Sequence, residues 1–182
     1  MLSRLTRKCI FLMSATLAVR LVADIRYTME RDLYLCGIQD TLTSSLMALD
    51  VFLFFLATAV FLTWLYKSVE MLSAQGGQFP IRYTPGAAVA GCLIPPLFLY
   101  RPCLVLMDIR RATAPDKSIA PVFIWWGLLW GGIATSIIAS CLGFSLTPSE
   151  AWAFSLISQS AVIISTGTLF VVMNGIVSVK AQ

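Results

Sequence analysis

The chain has 182 residues, 58% of them hydrophobic and 12% charged, with a mean hydropathy of +0.84 and a formal net charge of +4. Soluble domains are usually ~45–50% apolar and ~25% charged, so this composition excludes one and indicates an all-α integral membrane protein, with a single membrane domain over 1–182. Histidine is absent, which excludes bis-histidine haem ligation, Ser-His triads, histidine proton relays and most zinc and copper sites.

The five cysteines, Cys9, Cys36, Cys92, Cys103 and Cys141, show no C-x-x-C spacing. Four lie in or beside apolar segments, where cysteine acts as a small hydrophobe. Neither a metal site nor a cofactor is expected. The basic residues flank apolar runs, the position that orients a membrane protein, so nucleic acid is not an expected partner.

Arg4, Arg7 and Lys8 precede an uncharged run from Cys9 to Val19, and Arg20 follows. A span needs ~20 predominantly apolar residues. The first span is therefore expected over about 5–23, with Arg20 snorkelling to the far interface. A basic start, a short apolar core and small residues from Ser14 to Ala18 also fit a signal peptide. Either way, Asp24 to Asp40, with mixed charges, is expected outside the cytoplasm as a loop with some helix.

The second span is expected over about 49–66, inside Thr41 to Tyr66, with Trp64, Tyr66 and Lys67 as an interfacial anchor. Asp50 lies near its outer end. It reads as an interfacial carboxylate or a partner for Arg20 or Arg26; the sharper alternative is an ion or proton site formed with Arg20. Lys67 to Gln75 can continue the helix, which Gly76-Gly77 would end.

Seven of the eight prolines lie between Pro80 and Pro121. Thr84-Pro85-Gly86 is a turn signal. Gly86 to Tyr100 is uncharged but contains Pro95-Pro96, which removes two backbone donors, and Arg101-Pro102 follows. The stretch of about 80–113 is expected to form a Pro-rich re-entrant or interfacial hairpin. A third span is expected over 121–144, starting with Trp125, Trp126 and Trp130. It carries two rows of small residues: Gly127, Gly131, Thr135, Ala139 and Gly132, Ser136, Ser140. Such rows let helices approach closely, within the chain or in a homo-oligomer. The last span, over 151–178, has a polar side through Ser155, Ser158, Gln159, Ser165, Thr166 and Asn174.

Charge counting selects between topologies. If 86–100 crossed, Arg101, Arg110, Arg111 and Lys117 would lie outside, against the positive-inside rule. If it enters and returns, ten bases lie inside (Arg4, Arg7, Lys8, Lys67, Arg82, Arg101, Arg110, Arg111, Lys117, Lys180) and three lie outside or at the edge (Arg20, Arg26, Arg31). About four transmembrane helices are therefore expected, with both termini cytoplasmic.

From Phe61 to Thr113 the sequence resembles a family of bacterial membrane proteins catalogued as domain of unknown function 4328. The resemblance rests on Trp64-Leu65-Tyr66-Lys67, Thr84-Pro85-Gly86, Ile94-Pro95, Arg101-Pro102, Asp108 and Arg111-Ala112-Thr113. The chain departs from the family pattern at Ala87, Ala88 and Ala90, at Cys103 and at Arg110, where members tend to carry aromatics. The resemblance implies a multi-pass protein of the bacterial cytoplasmic membrane and supplies no activity.

Three functions follow. The first is an accessory or scaffolding subunit without catalysis, with the lipid bilayer and a membrane protein or a second copy as partners. The second is a conduit for a small solute or ion. The third is binding of an anionic lipid headgroup or phosphate ligand by Arg82, Arg101, Arg110 and Arg111, since guanidinium grips phosphate with paired donors. Asp108 is spaced to meet Arg101 or Arg111 on a helix. No catalytic residue is expected, because no nucleophile–base pair stands out.

Overall fold

A computed structural model describes residues 2–29, 41–74, 81–142 and 148–178. Seven helices account for nearly all of these: α1 (Leu2–Met29), α2 (Thr41–Ala74), α3 (Pro85–Leu93), α4 (Pro95–Phe98), α5 (Arg101–Thr113), α6 (Ala120–Leu142) and α7 (Pro148–Ser178). The expected loop at 30–40 with Glu30, Arg31, Cys36, Asp32 and Asp40, the Gly76-Gly77 stop, the start of the hairpin at Pro80, the turn at 145–147 and Lys180 lie outside the described residues. So do the side chains of Ala139 and Ser140.

Three helices, Thr41–Ala74, Ala120–Ile138 and Ala153–Ile176, are long and apolar enough to cross a membrane. At 1.5 Å per residue, the 34 residues of α2 extend about 51 Å, well beyond a hydrocarbon core of ~30 Å. α1 is long enough at 28 residues but is interrupted by Arg20, Asp24 and Arg26. Large apolar side chains such as Phe52, Phe55, Ile137, Ile157 and Ile164 are exposed on the long helices. A water-soluble fold of this size would cover such a surface, whereas lipid solvates it.

The long helices pack in antiparallel pairs, α1 with α2 and α6 with α7, and α1 also contacts α7. The first pair is registered by Trp64 Nε1, which donates to Thr6 Oγ1 at 3.0 Å, and by Arg20 Nε, 3.6 Å from Asp50 Oδ2. In the second pair, Ser158 Oγ donates to the Gly132 carbonyl at 3.0 Å and Ser165 Oγ to the Trp125 carbonyl at 3.0 Å.

Between the pairs lies a hairpin of short helices. α3 and α5 pack on each other and on α2, and α5 also touches α6 and α7. Thr84-Pro85-Gly86, expected as a turn, starts α3 instead. Thr84 is extended (φ −67°, ψ 155°) and its side chain accepts from the Ala87 N–H, with Pro85 in the first turn. Proline suits that position because its missing N–H would be unpaired there anyway. Ile94 is also extended (φ −82°, ψ 118°) and ends α3, as expected of a residue before proline. The tandem proline therefore makes the bend. Neither α3, at 9 residues, nor α5, at 13, reaches the ~20 residues of a span.

The core sits at one end of the bundle. It joins Cys9 of α1, Trp64, Leu65 and Val69 of α2, Val122 and Trp125 of α6, and Met173 and Ile176 of α7 around α5. Nine of the thirteen α5 residues are buried. Trp64, expected at the membrane interface, is fully buried in this core and stacks on Phe61 with ring centroids 6.0 Å apart. Tyr66 stays exposed, with Lys67 Nζ 5.6 Å from its ring centre.

Candidate functional site

The residues that carry the family resemblance gather on the hairpin and its socket. Arg101 begins α5 at the hairpin tip, and its side chain lies back along α3 until the guanidinium sits 5.2 Å from the Tyr83 ring centre. Gly91 makes this path possible. A Cβ at Gly91 would overlap Arg101 Cδ and lie 3.1 and 3.2 Å from its Cβ and Cγ. Stem and head thus take different environments, an apolar helix face and an aromatic ring. Nothing in the sequence pairs Gly91 or Tyr83 with Arg101, because the contact crosses a turn whose geometry only the fold supplies.

Asp108 pairs across the hairpin rather than along its own helix. Arg82 Nε lies 3.8 Å from Asp108 Oδ1, in place of the expected i,i+3 partner Arg111 or the earlier Arg101. The aspartate is nine-tenths buried, and its second oxygen has no hydrogen-bond partner among the described residues. Arg110 is also buried. Its Nε donates to the Ser118 carbonyl at 2.9 Å, and its Nη1 lies 3.1 Å from where a Gly175 Cβ would be. It therefore ties the end of α5 to the α5–α6 connection and to α7. Arg111 is half-buried and has no charged partner among the described residues.

Arg82, Arg101 and Arg110 thus each meet a separate protein partner: Asp108, Tyr83 and the Ser118 carbonyl. The hairpin tip is clasped by α6. The Phe98 ring centre is 6.2 Å from that of Trp126 and 5.7 Å from that of Trp130, both edge-on. Pro95 is exposed at the bend and Pro102 is buried behind it.

A second polar group lies toward the other end of the bundle. Arg20 and Asp50 pair between α1 and α2. Asp24, one turn along α1, accepts from Gln159 Nε2 of α7. The expected pairing of Asp50 with Arg20 is therefore present, while the Asp24–Gln159 link joins residues 135 positions apart and had no local signal. The two small-residue rows of α6 differ. Gly132 and Ser136 face α7, where Ser136 Oγ lies 2.6 Å from Ser158 Oγ. Gly127 and Gly131 are exposed, and a Cβ on either would meet nothing within 4 Å.

Cys9 and Cys103 are free thiols buried in the core. Among the described residues no three cysteine or carboxylate side chains come together as a metal site would require.

These features define a helical protein with three membrane-length helices and a broken hairpin wedged among them. The chain belongs to the family described as domain of unknown function 4328, whose profile matches residues 29–179. No curated protein and no solved structure matches it.

Proposed function

We propose that the protein is a four-span subunit of the bacterial cytoplasmic membrane with both termini in the cytoplasm. Its hairpin enters from the cytoplasmic face and returns, and the protein serves without catalysis as an accessory or scaffolding partner of another membrane protein. In this reading α1 is the fourth span, with the charge of Arg20 paired by Asp50 and Asp24 bonded to Gln159.

The sealed hairpin carries the proposal. The buried face of α5 includes Val105, Leu106 and Ile109, each 0% exposed. These close the bundle at the end that collects Arg4, Arg7, Lys8, Lys67 and Arg110. Asp108, Arg110 and Thr113 are also buried on α5, but the fully buried Val105, Leu106 and Ile109 pack where a conduit needs an open lumen. The conduit reading is weaker for that reason. The phosphate-binding reading is weaker because Arg82, Arg101 and Arg110 are held by separate partners.

The test is purification from native membranes after mild cross-linking, with single cysteines at Ala74→Cys and Asp116→Cys probed for sidedness in a background lacking the native cysteines. The expected result is a partner at fixed stoichiometry, with both cysteines labelled only from the cytoplasm. Labelling of Asp116→Cys from outside overturns the re-entrant hairpin. A chain that purifies alone and conducts ions in proteoliposomes overturns the accessory role.

A further inference from the structure

Between α1, α2, the hairpin, α6 and α7 the fold leaves a cavity of about 470 Å³, within the ~300–1,000 Å³ typical of small-molecule sites. Leu17, Phe54, Ala57, Phe98, Leu129 and Val162 are among its apolar wall. The wall also contains four hydroxyls, and each is already spent on a backbone carbonyl. Thr16 donates to Leu12, Thr58 to Phe54, Ser165 to Trp125 and Thr166 to Val162. With its hydroxyl donors spent, the wall suits a hydrocarbon chain rather than an anion, and a dry apolar cavity accepts apolar guests.

Arg20 is the one charged residue of the lining. Its Nε faces Asp50 Oδ2, its side chain is 47% exposed, and its terminal nitrogens have no hydrogen-bond partner among the described residues. Asp50 Oδ1 is buried and also without a hydrogen-bond partner among them. Unspent donors on a cation and an unspent acceptor on an anion thus lie side by side at the rim of an apolar cavity.

We propose that this is a binding site for one zwitterionic phospholipid of the surrounding bilayer, in the leaflet away from the basic end of the bundle. One acyl chain fills the cavity. The phosphate takes the free guanidinium donors of Arg20, and a primary ammonium in the headgroup donates to Asp50 Oδ1. A purely anionic head would meet the Asp50 carboxylate beside Arg20 and bring no cation to it. A trimethylammonium head has no N–H to give to Asp50. The chemistry therefore selects a phosphoethanolamine head over phosphoglycerol, phosphocholine and free fatty acid.

The full chain is reconstituted in nanodiscs holding equal amounts of phosphatidylethanolamine, phosphatidylcholine and phosphatidylglycerol. The lipids that stay with it after extraction into mild detergent are counted by native mass spectrometry. One phosphatidylethanolamine per chain is expected, favoured over the other two by ~10-fold, the scale of one hydrogen bond to a charged group. Ala57→Trp fills the cavity and should abolish retention. Asp50→Asn should keep a retained lipid on Arg20 but bring the preference for ethanolamine over choline down to about 1-fold, the bond to a charged acceptor being lost. That selectivity is read only on protein that has folded, so misfolding cannot imitate it.

Equal retention of the three lipids, retention of phosphatidylglycerol or phosphatidylcholine alone, no retained lipid, or full retention in Ala57→Trp each overturns the proposal.

Discussion

Gly91→Ala tests the hairpin most directly. A methyl group there overlaps Arg101 Cδ and stands 3.1 Å from Arg101 Cβ, so the arginine must leave its path along α3. Its guanidinium then loses the Tyr83 ring at 5.2 Å, an interaction of ~0.5–2 kcal/mol depending on desolvation. Overpacking at the α3–α5 contact adds ~1–3 kcal/mol. Alanine returns ~0.5–1 kcal/mol by favouring helix over glycine. The net cost is about 2–3 kcal/mol. In an Arg101→Ala background the clash with Cδ and Cγ is gone and only the Cβ contact remains. The same Gly91→Ala change should then come within ~1 kcal/mol of neutral, a coupling of the size found for residues in direct contact. The assay is reversible unfolding in mixed micelles as the SDS fraction is raised, with four proteins in the cycle. Equal costs of Gly91→Ala in the two backgrounds, within ~0.5 kcal/mol, would refute the packing of Arg101 over Gly91.

The α6–α7 seam makes an opposite pair. Gly132→Val should destabilise by ~1–3 kcal/mol in the same assay, since a Cβ there lies 3.1 Å from Val162 Cγ2 and 3.3 Å from the Ser158 carbonyl. Gly131→Ala should be neutral or stabilise by up to ~1 kcal/mol, because its Cβ meets nothing within 4 Å. Trp64→Phe and Thr6→Val remove the same hydrogen bond. Each should cost ~1 kcal/mol, and the double variant should cost less than their sum. Leu106→Ala, at a fully buried position of α5, should cost ~2–5 kcal/mol; a cost under 1 kcal/mol would contradict a close-packed hairpin. Arg110→Lys should cost ~1–3 kcal/mol, because an ammonium on a different stem does not reproduce the Nε bond to Ser118.

The long helices were legible in the sequence because hydropathy is a local property. α6 and α7 fall close to the expected 121–144 and 151–178, and α2 continues past Tyr66 through Lys67 to Ala74 as its sequence allowed. The break at Ile94-Pro95 was legible for the same reason, since proline restricts its own residue and the one before it. The reading of Thr84-Pro85-Gly86 as a turn failed on a near-degenerate signal: Thr-Pro starts helices as readily as turns, and only the residues after it, Ala87 to Leu93, decide between them.

Partner choice was a different matter. Arg20 and Asp50 could be matched because opposite charges at equal depth in neighbouring helices must find each other. The spacing of Asp108 points to a partner along its own helix, and it meets Arg82 across the hairpin instead. Trp64 carried the composition of an interfacial anchor, and its burial came from the arrival of α1 and α5 at that end of α2. Gly91, Tyr83 and the Asp24–Gln159 link had no pattern to announce them.

The sequence by itself determined a membrane-protein composition, the positions of the long apolar helices, the proline-broken stretch between them and the asymmetry of basic charge. Each follows from properties of short windows of residues, which hold whatever the rest of the chain does. The tertiary structure alone decided which glycine row packs, which partner Arg82, Arg101 and Arg110 each meet, that the hairpin packs among α2, α6 and α7, and that an apolar cavity with Arg20 at its rim remains. Those are contacts between residues tens of positions apart, fixed by helix packing in three dimensions and invisible to any periodicity along the chain.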